Sequence, residues 1–308
     1  MRYGLTRLLL AAAAGLIAAV AHGQPSTIHA QSQYKTVSVR YKFRVGEVLY
    51  FRGETIVTGS FTGAPGVPAV PVSTQSETAY HETVVEVNAD DGVATLEVSM
   101  DGVSTEDNGT EATYTDAQMA QLRDMGSIRV SPTGRVLSSR LKTFGGVGIA
   151  GIASLNTGLI SALPAVPFNR VKVGDTWDGT LDAGKVVSTE LAGFEAPIEY
   201  TLFDLTKFGS DNIAAVSEKV TGTFNPTVKP TDRMQISDKL DGVGTLQFDM
   251  DAGIIHIWTT SMAITLTFTP TPNAPANMTQ IVGKLNMSTK LACLIGAAPA
   301  PAPAAPAQ

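Results

Sequence analysis

Thr83-Val84-Val85-Glu86-Val87-Asn88-Ala89-Asp90-Asp91-Gly92-Val93-Ala94-Thr95-Leu96-Glu97-Val98 decides the fold class. Val85 and Val87, then Val93, Leu96 and Val98, recur among polar residues at close to the two-residue period of a strand with one buried face. The run is interrupted once, at Asn88–Gly92. Asp favours a turn there and Gly accepts positive φ, so the stretch reads as an antiparallel hairpin.

The same pattern extends in both directions. Val37 to Tyr50 alternates in the same way and is predicted as a strand. Ile128 and Val130, then Ser131-Pro132-Thr133-Gly134, then Val136 and Leu137 make a second hairpin, with Pro132 presetting φ in the turn. In the second half, Ile198–Leu205 and Ile213–Val220 flank Gly209-Ser210-Asp211-Asn212. Thr245–Met250 and Ile254–Trp258 flank Asp251-Ala252-Gly253. The hairpin centres at 91 and 210, and those at 133 and 252, are both 119 residues apart. Arg44-Val45-Gly46-Glu47 and Lys172-Val173-Gly174-Asp175 open the two halves, 128 residues apart. A constant offset over two hairpins points to an internal duplication. Phe61 to Ser73 accounts for the extra residues of the first half. Its three prolines predict a loop.

The expected architecture is therefore all-β and antiparallel. It is an internally duplicated, strongly curved sheet or half-barrel with one or two short helices, and a two-sheet sandwich is the alternative. Tyr114 to Met125 is the first helix, with Thr115 as its cap and Met119, Leu122 and Met125 at helical spacing. Thr143 to Asn169 carries no charged residue. Its five glycines, Asn156, Pro164 and Pro167 oppose a transmembrane helix. It reads instead as a Gly-rich connector with a short helix, Leu155 to Leu163, that covers the open sheet face.

The two ends stand apart from this pattern. Met1 to Gly23 has the form of an export signal: Arg2 and Arg7, a short apolar run from Leu8 to Val20, then Ala21-His22-Gly23. Cleavage moves the charge from −6 to −8. The expected location is exported, periplasmic or extracellular, with no stable transmembrane span after cleavage. Residues 24–33 form a flexible start, 34–142 a first β repeat, 143–169 the connector, 170–293 a second β repeat and 294–308 a tail. Ala297 to Gln308 holds only Ala, Pro and a final Gln and is predicted to be disordered.

Among 308 residues, 44% hydrophobic and 16% charged, the acidic balance leaves no basic patch for nucleic acid. The single Cys, Cys293, excludes a disulfide scaffold and a Cys-based zinc site and reads as a buried small hydrophobe.

Leu163-Pro164-Ala165-Val166-Pro167-Phe168, Val171-Lys172-Val173-Gly174-Asp175-Thr176-Trp177 and the hairpin Ile128–Val136 resemble a group of uncharacterised bacterial exported proteins. These β-rich proteins share a Val-Gly-Asp-x-Trp-type motif and form a domain of unknown function. The resemblance spans Tyr34 to Leu291. It implies structural roles only: Gly174 for a bulge or close approach, Asp175 for a turn bond, Trp177 for core.

Chemical motifs are few. Ser139-Arg140-Leu141-Lys142 with Ser210-Asp211-Asn212 matches part of the pattern of penicillin-recognising acyl enzymes, but Lys-Thr-Gly is missing and both pieces sit at hairpins. His29, His81 and His256 do not fall at metal-ligand spacing. Asp90-Asp91-Gly92, Asp249-x-Asp251 and Asp101 to Asp107 lack a calcium-loop spacing and have turn roles of their own. Asn108-Gly109-Thr110 is formally a glycosylation triplet. No catalytic, cofactor-binding or metal residue is assigned, and no cofactor is expected. The expectation is a non-catalytic periplasmic or secreted binding protein for a hydrophobic small molecule, its concavity lined by Val, Ile, Leu and Met. The alternative is an envelope-associated structural module that meets an envelope protein through Phe61–Ser73 and the Pro-Ala tail. A hydrolase is the least supported reading.

Overall fold

The computed structural model describes residues 35–64, 66–112, 114–141, 163–182, 195–224 and 233–295. The export signal, the flexible start with His29, the predicted helix Leu155 to Leu163 up to residue 162, Lys142 and Ala297 to Gln308 lie outside them. The strands are β1 (Val48–Thr62), β2 (Val70–Val87), β3 (Ala94–Asp107), β4 (Thr110–Ala112), β5 (Gly126–Val130) and β6 (Val136–Ser139) in the first half. The second half holds β7 (Thr176–Asp182), β8 (Glu195–Phe208), β9 (Asp211–Phe224), β10 (Met234–Asp249), β11 (Ile254–Pro270) and β12 (Ile281–Ile295). Among the described residues one helix, α1 (Asp116–Leu122), precedes β5 and is shorter than predicted.

Among the described residues these twelve strands join one antiparallel sheet in the order β6-β5-β3-β2-β1-β12-β11-β10-β9-β8-β7, with β4 beside β3. The sandwich alternative is not what forms. The edges β6 and β7 do not pair among the described residues, so the barrel stays open. The sheet nevertheless curls strongly, because β7, β12 and the β5–β6 turn line one cavity.

Alternation explains which face is inside. On β1, Leu49, Phe51, Thr55 and Val57 are buried; on β11, Trp258, Thr260, Met262 and Ile264 are. Each large apolar side chain among them contributes roughly 1.5–3 kcal/mol on burial. Several strands run well beyond their predicted bounds. Met234–Gly244 and Ser261–Pro270 lie outside the apolar runs yet remain in the ladder.

Four expectations are corrected. Val37 to Tyr50 is not one strand. Val37, Val39 and Tyr41 are buried, but Val37–Phe43 is an arm crossing the concave face, and β1 starts only after the turn at Val45-Gly46. Val85 does not point inward: a bulge between Val84 and Glu86 leaves Val84 buried and Val85 exposed. Phe61 to Ser73 is not all loop. Phe61, Thr62 and Val70–Ser73 are paired, Pro71 opposite Ser60, because β3 leaves β2 at Thr74 and nothing on that side needs a proline donor. Finally, β12 runs through Leu294 and Ile295, two residues into the predicted tail.

The two halves share particular backbone features. Gly46 N–H donates to Val84 O and Val84 N–H to Glu47 O; Gly174 N–H donates to Leu202 O and Leu202 N–H to Asp175 O. The bulge at Val84/Glu86 is matched by one at Leu202/Asp204, and that at Arg129/Val130 by one at Gln247/Phe248. The arms preceding the openers dock on the hairpin turns. Tyr41 N–H donates to Pro132 O in the β5–β6 turn and Lys42 N–H to Gly253 O in the β10–β11 turn, while Val166 N–H donates to Thr133 O in the β5–β6 turn. The two arms meet each other through the Val37–Val171 bridge. Gly134 has to be glycine: φ is +79° and a Cβ would lie 2.4 Å from Pro164 O.

The first arm closes a dense core. Tyr41 meets Phe248 edge-on at 5.1 Å, and Phe51 stacks on Tyr80 at 4.8 Å. Glu82 is fully buried beside them.

Candidate functional site

Registers carry one residue from each strand into rows across the concave face. One row runs Trp177, Tyr200, Glu218, Gly244, Thr260, Thr289, Thr55, Ser76, Thr105, each opposite the next. It is polar along most of its length. Thr55 and Thr289 hydroxyls share a hydrogen bond at 3.3 Å, Ser76 and Thr105 at 3.4 Å, and Thr105 and Tyr114 at 3.2 Å. The rows on either side are apolar in the second half: Leu202, Val216, Leu246, Trp258 and Leu291 on one, Ile198, Val220, Met262 and Met287 on the other.

Over the Trp177–Thr289 end of this row lies a cavity of about 650 Å³. Its roof is the second arm, Leu163 to Phe168, and the β5–β6 turn closes one side. The arm is held from several directions. Tyr41 Oη donates to Pro164 O at 3.0 Å and Trp177 Nε1 to Ala165 O at 2.8 Å. Arg40 donates to Phe168 O and lies over its ring. Leu163–Phe168, the described end of the predicted connector, lies over this cavity, while residues 143–162 fall outside the described residues. Both tryptophans of the chain, Trp177 and Trp258, line the cavity. Trp177 stacks on Tyr200 at 5.7 Å.

Glu218 is the one strongly buried acid of the cavity wall, 3% exposed. Trp258 Nε1 donates to its Oε2 at 3.0 Å. Its Oε1 has no hydrogen-bond partner among the described residues. Burial pushes the carboxyl up to about 7, against the Trp258 bond, which lowers it. Space for the carboxyl comes from β10: a Cβ at Gly244 would lie 2.4 Å from Glu218 Oε1. The same Cβ would lie 2.6 Å from Thr259 O, so the glycine serves a close approach of backbone as well as carboxyl.

The residues singled out in the sequence go elsewhere. Ser139 Oγ accepts from Leu141 N–H, and Ser210 Oγ donates to Asp211. Asn212 donates twice to Asp251 Oδ2 at 2.8 Å, tying the two hairpin turns together and holding Asp251 below the usual carboxylate range. These are turn contacts, and Lys142, the base of the pattern, lies outside the described residues. His81 bonds Asp101 at 2.9 Å, and His256 lies against Phe208. Asp91 accepts Val93 N–H, Asp249 accepts Asp251 and Ala252 N–H, and Asp107 accepts from Thr74 and Asn108. Among the described residues, His, Cys, Asp and Glu form no group able to hold a metal. Asp175 makes its turn bond, accepting Lys172 N–H, and Trp177 is half-buried against the core and also lines the cavity. Cys293 is buried, its thiol pushed up to about 12 by burial and by Glu82 and Glu47.

Sequence reasoning missed Glu218, Tyr200 and the hydroxyl row. The signal for Glu218 was present: Ala214, Val216, Glu218 and Val220 share one parity, and a Glu on it must face inward.

No family model matches the chain, and neither does any curated protein. Solved structures give weak likenesses. A lipovitellin structure concerned with lipid–protein interactions aligns at TM-score 0.43 and 13% identity, over 86% of this chain and 27% of that one. This chain therefore spans about a quarter of the lipovitellin chain. DynF, from the dynemicin biosynthesis pathway of Micromonospora chersina, aligns at TM-score 0.21 and 6% identity, over 87% and 92%. OmpF of Salmonella typhi in complex with daunomycin aligns at 0.21 and 9%, over 81% and 98%. At these scores the likenesses bear on neither the fold nor the ligand of this chain. Among the described residues no helix is long and apolar enough to cross a membrane.

Proposed function

We propose that the chain is a non-catalytic binding protein that holds a hydrophobic small molecule between its curved sheet and the second arm. The observation that carries this reading is the cavity of about 650 Å³ walled by Leu163, Val166, Ile198, Val220, Trp258 and Met262. Its size and mostly apolar wall suit a small organic ligand. On the same footing we infer export to the periplasm or beyond, membership of the uncharacterised exported group resembled above, and descent of the two halves from one unit. The matched bonds and bulges support the last of these.

The test is native mass spectrometry of the purified chain beside solvent extraction, then titration with an apolar ligand followed by tryptophan emission. Because both tryptophans line the cavity, ligand entry must change their emission. A bound adduct of defined mass, or a saturable emission change, supports the reading. A bare mass with no response to any apolar ligand overturns it.

A further inference from the structure

The geometry points to an amphiphile whose buried end is a hydrogen-bond donor, a hydroxyl or an amine, seated on Glu218 Oε1. The inference rests on the binding reading above and names the ligand class.

Buried polar atoms are almost always paired, and an exception calls for an explanation. Glu218 Oε1 is such an exception, and Glu218 is a residue of the cavity wall. Trp258 fixes the orientation of the carboxyl by holding Oε2, leaving Oε1 as an acceptor. Thr260 and Thr289 follow on the same row and line the same cavity, so the remaining protons of an amine, or the oxygen of a hydroxyl as acceptor, meet further hydroxyl groups. Leu163, Ile198, Val220 and Met262 receive the hydrocarbon. The charged groups on the wall are Glu218, Asp178 and Arg135, the last on the β5–β6 turn, and Tyr200 is the ionisable neighbour of Glu218 on β8. An anionic head paired with Arg135 would press its tail against Glu218 and leave Oε1 unsatisfied. That arrangement is disfavoured. Because burial moves the Glu218 carboxyl up to about 7, an amine gains affinity as pH rises through that value, and an alcohol changes less.

The test uses the full chain with dodecanol, dodecylamine and dodecanoate, each titrated by tryptophan emission at pH 8.5. The alcohol and the amine are expected to bind about tenfold or more tightly than the carboxylate. In Glu218→Gln the Trp258 bond keeps the amide oxygen on its own side and presents –NH₂ where Oε1 stood. The ranking should then shift toward the carboxylate. Equal binding of all three ligands, unchanged by E218Q, overturns the donor-head inference and leaves the binding reading standing. Tightest binding of the carboxylate, lost in Arg135→Gln, overturns it as well. No response to any of the three removes the binding reading itself. The ranking in the native chain needs no variant, so a poorly folding E218Q still leaves the inference decided.

Discussion

The dense core under the first arm and the cavity under the second are built from similar parts and end differently. Each has an arm docked on a hairpin turn, a stacked aromatic pair, and a glutamate at an inward position of a strand. Under the first arm, Tyr41, Phe43 and Phe248 occupy the space and Glu82 is sealed in with no partner for either oxygen among the described residues. Under the second arm lies a cavity, Gly244 withdraws a side chain, and Glu218, on the cavity wall, has one oxygen bonded and one without a partner among the described residues. A buried acid is thus a cost carried by the fold in one place and a usable acceptor in the other. The difference lies in what covers each glutamate, not in the strand that bears it.

The sharpest way to break this contrast is to empty the dense core. Phe248→Ala should cost about 3–5 kcal/mol in urea unfolding, whereas Met262→Ala, which only enlarges an existing space, should cost clearly less. Equal losses would show that the cavity is as tightly packed as the core.

The acid of the dense core should next show itself in pH dependence. Burial raises Glu82 from 4.5 to about 8, so the folded chain binds a proton in that window that the unfolded chain does not. Stability is therefore fully present below about pH 4.5 and lost as pH rises toward about 8, by on the order of 1 kcal/mol per pH unit. Glu82→Leu should flatten that slope in denaturant titrations at several pH values, and an unchanged slope would assign it to other groups.

Gly244→Ala tests the other glutamate by pushing Glu218 aside. It should cost about 1–3 kcal/mol and weaken ligand response together, as read by unfolding and by tryptophan emission. Loss of stability with full ligand response would mean that the carboxyl position does not matter to the cavity. The smallest effect is expected at Thr55→Val, far along the hydroxyl row. Losing its bond to Thr289 should cost about 1 kcal/mol or less, as read by urea unfolding.

Local chemistry made the hairpins legible. Asn88–Gly92, Ser131–Gly134, Gly209-Ser210 and Asp251–Gly253 each announce a turn through residues that suit no other conformation, and the alternation around them fixes strand type. The cavity was not legible, because it arises from register between strands far apart in sequence. Nothing in Thr55, Thr260 or Thr289 alone says that they fall in line. The arm Val37–Phe43 misled for a related reason: alternation reports one buried side, and a strand laid across the concave face satisfies it as well as one in the ladder. The bulge at Val85 moved the buried parity by one residue, a change that depends on the partner strand.

The pairing of β1 with β12 bears on how the molecule is made. Thr55 and Thr289 touch across 234 residues, and the ladder between the two strands runs from Leu49–Ile295 to Thr62–Val282. Until residues 281–295 have been synthesised, β1 has a neighbour on one side only and offers a long bare edge to any other strand it meets. So many long-range contacts also make folding slow. A chain cut short before Ile281, or one waiting for its last strand, is therefore exposed to strand-on-strand aggregation, and the final fifteen residues of the ladder act as the seal that ends that exposure.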